Sequence, residues 1–288
     1  MFSDTHFHFG YLAKSCGVNF CADILKTMVS TDARFGLDIG TKPCDLLSRQ
    51  EYAKESLDLL GKETREKAKA MLYFSAGIWP AQEAIEQRTV CMATLEDEIK
   101  TSQKKGALFP EKLIAIGECG LDHHWNGEGF DTTLLQGERE LFLMQIELAQ
   151  KLALPLIIHS RDAFEETISC LDDAGYHNGI IHCFSYTKEA AEAFLNRGWY
   201  LAFGGGTTYT KKRNMAEMEA LLRFVPDDRL LLETDAPYLA PVPLRGKQNI
   251  PPYISHTYEF IAGIRDISVE TLCRNVDINC KKLFNLPD

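Results

Sequence analysis

The 288-residue sequence contains no apolar run near the roughly 18 residues that a membrane-spanning helix requires, which argues against a helical membrane protein. Residues 1–30 lack both a basic start and an apolar stretch of signal-peptide length, so a chain without a secretory leader is expected. A disulfide framework is missing too. The nine cysteines are an odd number, form no Cys-x-x-Cys pair, and approach one another in sequence only at Cys16 and Cys21. Free thiols in a reducing, cytoplasmic setting follow. Positive charge is in short supply, with 31 Lys and Arg against 41 Asp and Glu and a net charge of −10. That argues against a broad basic face that tracks long nucleic acid, although a bound metal can reverse the sign inside one pocket. There is no Walker loop and no dinucleotide fingerprint; "GGGTTYT" at 204–210 reads as a turn. Internal repeats, low-complexity tracts and Pro- or Gly-rich linkers are absent, so one domain over 1–288 is expected.

What is present is a regular alternation. Short β-branched or apolar runs occur at 2–5, 34–40, 72–78, 112–118, 154–160, 179–185, 199–205 and 229–235. Between them lie stretches with apolar residues at helical spacing, clearest at 136–153, 163–175, 188–198 and 215–225. Gly175 and Gly198 stand where helices stop. The polar segment 41–70 reads as an elaborated helical connection between the second and third strands, and Ser268 as the cap of a C-terminal helix. Strand–helix alternation implies parallel strands joined by crossovers. Eight such units predict a closed (β/α)8 TIM barrel, for which about 250 residues suffice, with an open doubly wound sheet as the alternative.

Chemistry-bearing residues gather at the C-terminal ends of these strands: His6 and His8 on the first, Glu118 on the fourth, His159 on the fifth, His182 on the sixth and Asp235 on the eighth. In a parallel barrel those ends share one rim, where active sites form. His6 and His8 are two residues apart, so on a strand they point the same way and can hold one ion together. Any one of these side chains alone reads more simply as a satisfied polar group at a strand end. Six ligand-type residues on one rim point instead to a metal site, and the His, Glu and Asp mixture suits a borderline transition metal such as zinc better than a lone magnesium. His123 and His124 read as substrate contacts or plain surface, Cys119 and Cys183 as packing residues, and His177 and His256 have no assigned role.

The ordered set "SDTHFHF", "IGECGLDHHW", "PLIIHSRDA", "IIHCFS" and "LLLETDAPYLAP" followed by "RGKQN" resembles the TatD family of metal-dependent deoxyribonucleases, nearly end to end. The resemblance implies that His6 and His8 hold one metal, that His159 and His182 serve a second, that Glu118 bridges the two, and that Asp235 supplies the strand-eight carboxylate. It implies two divalent ions (zinc, manganese or magnesium) and hydrolysis of DNA phosphodiesters, often from a 3′ end. Two departures stand out. Trp79 occupies a position where family members often carry a histidine associated with substrate phosphate, and Ile250 replaces a glutamate after Asn249.

A mechanism follows as an expectation. Two carboxylates against two divalent ions leave the pocket cationic, which suits a phosphodiester. Asp235 and Glu118 are the expected catalytic residues, with Asp235 moving the proton of a metal-activated water. Arg161, Arg245 and Asn249 are the expected substrate contacts, unless Arg161 is merely paired with Asp162. The acidic surface favours short or single-stranded DNA as the partner. The competing readings are an amidohydrolase acting on amide or ester bonds, including an aminoacyl-tRNA deacylase, and a barrel that keeps its metal without catalysis.

Overall fold

The computed structural model describes residues 1–126 and 132–287. All eight strands form, and they pair in sequence order as a single parallel sheet. They are β1 (Ser3–Phe7), β2 (Phe35–Asp38), β3 (Leu72–Ala76), β4 (Leu113–Asp122), β5 (Leu156–Arg161), β6 (Gly179–Ile181), β7 (Tyr200–Phe203) and β8 (Leu230–Leu232). The last strand returns to the first. Phe7 bridges Ala236, the His8 amide donates to the Ala236 carbonyl at 2.7 Å, and the Asp235 amide donates to the His6 carbonyl at 2.8 Å. The (β/α)8 barrel is therefore the architecture.

Strand interiors are filled from the chain's apolar runs: Leu37, Phe74, Ile116, Ile157, Ile181, Leu201 and Leu231 are all buried. The helices sit outside, where their apolar stripes meet the sheet. Val269–Phe284 shows why such a segment is helical and where it stops. Ser268 accepts a hydrogen bond from the Thr271 amide at 3.1 Å, a cap of about 1 kcal/mol. Leu272, Val276, Cys280 and Leu283 recur at helical spacing on the buried face. Asn285 then ends the helix in the left-handed conformation. Gly175 ends Phe164–Ala174 in the same way, whereas Lys188–Leu195 is capped by Asn196, with Gly198 (φ +89°) two residues further on. The segment 204–210 is a short 3-10 turn, Gly205–Tyr209, at the rim.

The sequence-based strand limits shift where they matter most. The fourth strand does not end at Glu118; it runs on to Asp122, and Glu118 lies inside it at a bulge. Gly117 pairs with Ile157 and Cys119 with Ile158, so Glu118 is the extra residue and its side chain is re-aimed. Glycines make this possible. Gly120 (φ +140°) would place a Cβ on the carbonyl oxygen of His159, and Gly117 (φ +143°) would place one 2.5 Å from that of Ile157. The sixth and eighth strands are shorter than expected. The sixth strand ends at Ile181, directly before His182, and the eighth at Leu232, three residues before Asp235; Cys183 (φ +47°) and Asp235 (φ +55°) adopt left-handed backbone beyond them.

Candidate metal centre

The six expected ligands converge. His6 and His8 approach with their Nε2 atoms 3.3 Å apart. Asp235 Oδ1 lies 3.7 Å from His6 Nε2 and 3.4 Å from His8 Nε2. Across from them, His159 Nδ1 and His182 Nε2 are 3.2 Å apart. Glu118 stands between the two histidine pairs and divides its oxygens: Oε2 lies 3.5 Å from His6 Nε2 and 3.8 Å from His8 Nε2, while Oε1 lies 2.9 Å from His159 Nδ1 and 3.1 Å from His182 Nε2. The cluster is buried, with only the Asp235 and His159 side chains at 14% and 15% exposure.

Electrostatics follow from burial and mutual charge. Burial alone would push the Glu118 carboxyl up. The charge of His182 and hydrogen bonds from His159, His182 and His6 outweigh it and hold the group well below the usual range. His182 is pushed down by burial but raised well above the ordinary imidazole value by Glu118 and Glu233. His8 and His159 are raised in the same manner, against burial, by their carboxylate partners. His6 is the exception, lowered by burial and by the charge of His182. Burial would likewise raise Asp235, yet His8, His6 and His182 keep it low.

The residues fit a divalent ion on their own chemistry. Three groups of side chains bring their ligand atoms within 4.8 Å of one another: His6, His8 and Asp235; Glu118, His159 and His182; and His6, His182 and Glu233. Imidazole nitrogens combined with carboxylate oxygens suit first-row transition ions. Among the described residues, His6 Nδ1, His182 Nδ1 and Glu233 Oε2 are buried without a hydrogen-bond partner, but these are not the ring nitrogens that face Glu118.

Several residues that hold this geometry were not legible in the sequence. Asp122 is buried and uses both oxygens: Oδ2 lies 2.8 Å from His159 Nε2, and Oδ1 accepts from the Trp125 amide at 3.0 Å. It fixes the outer nitrogen of His159 so that Nδ1 faces inward. The Ile39 carbonyl lies 3.3 Å from His8 Nδ1 and does the same there. Glu233 Oε1 accepts from the Cys183 amide at 2.6 Å and lies 3.6 Å from His182 Nδ1, too far for a hydrogen bond. Asp4 welds the barrel seam, accepting from the amides of His6 and Thr234 and from the Thr234 hydroxyl. Its burial pushes the carboxyl up to about 8 despite those bonds. The signal available was position: Asp4 and Asp122 flank ligands on the same strands, and Glu233 precedes the Thr-Asp pair.

The expected substrate contacts divide. Arg161 and Arg245 are exposed. Arg161 is not paired with Asp162, which meets His124 Nδ1 at 3.2 Å; its guanidinium lies 5.9 Å from the Trp125 ring centre. Arg245 lies 4.5 Å from the Tyr209 ring centre. Asn249 is not brought to the cluster. It is fully buried, and its amide donates to the carbonyls of Thr234 (2.8 Å) and Tyr238 (2.7 Å), pinning the loop that carries Asp235. Trp79 sits edge-on to His159, with ring centres 5.9 Å apart. His123 faces Glu138 and Glu166, away from the six ligands. Burial pushes the Cys119 and Cys183 thiols up, as expected of packing residues.

Known proteins share this arrangement of sequence and fold. The model of the TatD related DNase family matches residues 3–285. The uncharacterized metal-dependent hydrolase YcfH of Escherichia coli (strain K12) is 30% identical over 285 residues, covering 98% of this chain and 95% of the relative. The 3'-5' ssDNA/RNA exonuclease TatD of Salmonella typhimurium is 30% identical over 267 residues, covering 86% and 98%. Among solved structures, YJJV, a TatD homolog from Escherichia coli K12, superposes with a TM-score of 0.79 at 23% identity, covering 99% of this chain and 98% of that one, which supports the fold. With the family model spanning nearly every residue and full-length relatives at this identity, the chain belongs to the TatD related DNase family of metal-dependent hydrolases.

Proposed function

We propose that this chain is a deoxyribonuclease of exonuclease type that hydrolyses phosphodiester bonds of short or single-stranded DNA in the cytoplasm, as one domain over 1–288. The observation that carries this reading is the division of Glu118 between two histidine pairs, Oε2 toward His6 and His8 and Oε1 toward His159 and His182. Two divalent ions (zinc, manganese or magnesium) would be held by His6, His8 and Asp235 on one side and by His159 and His182 on the other, with Glu118 available to both. When bound, such ions supply Lewis acidity toward phosphoryl oxygens and an activated water.

The chain's own groups do the rest. Asp235 keeps its carboxylate ionised through the pull of His8 and His6, stands at the partly open edge of the cluster, and accepts the proton of the attacking water. Asp122 and the Ile39 carbonyl fix the rings of His159 and His8. Arg161 and Arg245 supply cationic donors at the rim for substrate phosphates. Similarity to the 3'-5' ssDNA/RNA exonuclease TatD of Salmonella typhimurium supports the single-stranded substrate and the 3′ to 5′ direction. Nine free thiols are consistent with a reducing compartment.

The test is a time course on short single-stranded DNA labelled at either end, with metal-stripped protein refilled separately with zinc, manganese or magnesium. A ladder shortening from one end, absent in Asp235→Asn, is expected. No cleavage with any metal, while metal is stoichiometrically bound, would move the assignment to ester or amide hydrolysis.

A further inference from the structure

Two large aromatic side chains stand exposed beside an otherwise buried site: Trp125 at 64% and Tyr238 at 52% exposure. Exposing an indole ring to water is costly, and no role described so far uses it. Each is tied by its backbone to the cluster, Tyr238 to Asp235 and Trp125 to the carboxylate that holds His159. The Trp125 amide donates to Asp122 Oδ1, and the other oxygen of that carboxylate holds His159. The Tyr238 amide donates to the Asp235 carbonyl at 2.8 Å, and its ring lies 6.1 Å from that of His8. The two rings therefore belong to opposite sides of the cluster, one beside His159 and the other beside His8 and Asp235. On one side an arginine accompanies the ring, Arg161 lying 5.9 Å from the Trp125 ring centre, whereas Arg245 lies over Tyr209 rather than Tyr238. An aromatic face beside a guanidinium is the combination that grips unpaired bases together with their backbone, and a duplex, whose bases are already stacked, cannot use the face.

We propose that Trp125 and Tyr238 are stacking platforms for the bases on either side of the scissile phosphate, and that they confer the preference for single-stranded DNA. This rests on the nuclease reading of the same site. It also accounts for how a chain of charge −10 holds a polyanion: stacking replaces most of the phosphate neutralisation that a basic groove would provide.

The experiment is a two-sided exchange on the metal-loaded protein. Anisotropy is measured with dye-labelled phosphorothioate oligothymidylate, intact or carrying a single abasic residue at successive positions. Wild type is expected to bind the oligomer roughly five- to a hundredfold more weakly when the abasic residue falls at either stacking position. Trp125→Ala should lose most of that penalty at one position and Tyr238→Ala at another, while Trp125→Phe keeps it. Both rings are solvent-facing, so loss of fold is not expected to obscure the comparison. A penalty that is absent in wild type, or unchanged in both alanine variants, overturns the stacking assignment even where the DNA is bound and cleaved. Failure of wild type to bind or cleave the strand at all overturns the nuclease reading with it.

Discussion

Two buried polar clusters lie near the same rim and are built on opposite principles. Behind β2, Arg49 on the helix Leu46–Asp58 donates from Nη1 to Asp38 Oδ2 at 2.7 Å, from Nε to Asp45 Oδ1 at 2.9 Å and from Nη2 to the Ser75 carbonyl at 2.6 Å. Asp38 Oδ1 in turn accepts from the Phe9 amide at 2.8 Å. This cluster brings its own cation and engages all three guanidinium nitrogens. Among the described residues, the cluster at Glu118 pairs its carboxylates with imidazoles rather than with lysine or arginine, and it brings imidazole nitrogens within 3.2–3.3 Å of one another. The first cluster is closed chemically and fastens the segment 41–70 to the barrel. The second crowds imidazoles and carboxylates together with no permanent cation, which stability alone does not favour. A buried charge network that carries its own cation has the chemistry of a fastener, and one that lacks it has the chemistry of a candidate binding site.

The comparison can be broken from either side. Arg49→Met leaves Asp38 buried without its cation and should lower unfolding free energy by about 3–5 kcal/mol, read from urea denaturation. A change under about 1 kcal/mol would mean that the first cluster is no fastener. Asp235→Asn should do the reverse: turnover on single-stranded DNA falls at least about a hundredfold, while the unfolding midpoint is not lowered. Near-normal turnover would remove Asp235 from its proton-transfer role.

Positioning residues come next in size. Asp122→Asn keeps the shape but gives up the carboxylate on His159 Nε2. Metal affinity, measured by chelator competition, should fall roughly tenfold to a hundredfold. Unchanged affinity would reduce Asp122 to an anchor for Trp125. The smallest effect is in protons. His8, His159 and His182 are raised above the ordinary imidazole value by their carboxylate partners despite burial, so they hold protons at a pH where a free imidazole has lost them. A metal binds only neutral imidazole, so loading expels these protons and affinity falls as pH falls. Calorimetric titration in two buffers of different ionisation enthalpy should register proton release that grows with acidity, and none would contradict the raised values.

Much of this was legible in the sequence, for identifiable reasons. Apolar runs followed by helical spacing gave the eight strands, and the placement of His6, His8, His159, His182 and Asp235 at their ends pointed to the side chains that cluster at the rim. Those inferences needed only local periodicity and the rule that parallel strand ends share a rim. Legibility failed where partners meet only through barrel closure. Asp4 has a role because Thr234 arrives beside it, and Asp122 because β4 runs past a bulge that the motif does not reveal. The buried partners of Asn249 were hidden for the same reason: the loop following β8 folds over it and consumes its amide. Arg49 lies in the polar segment 41–70, and a lone arginine in a polar helix carries no sign that it will be buried.

The central claim is that Glu118 separates two ion positions. Its most direct test is a crystal of the manganese-loaded protein measured for anomalous scattering. Two peaks are expected on opposite sides of Glu118, one among His6, His8 and Asp235 and the other beside His159 and His182. A single peak, or a second one among His6, His182 and Glu233, would contradict the account.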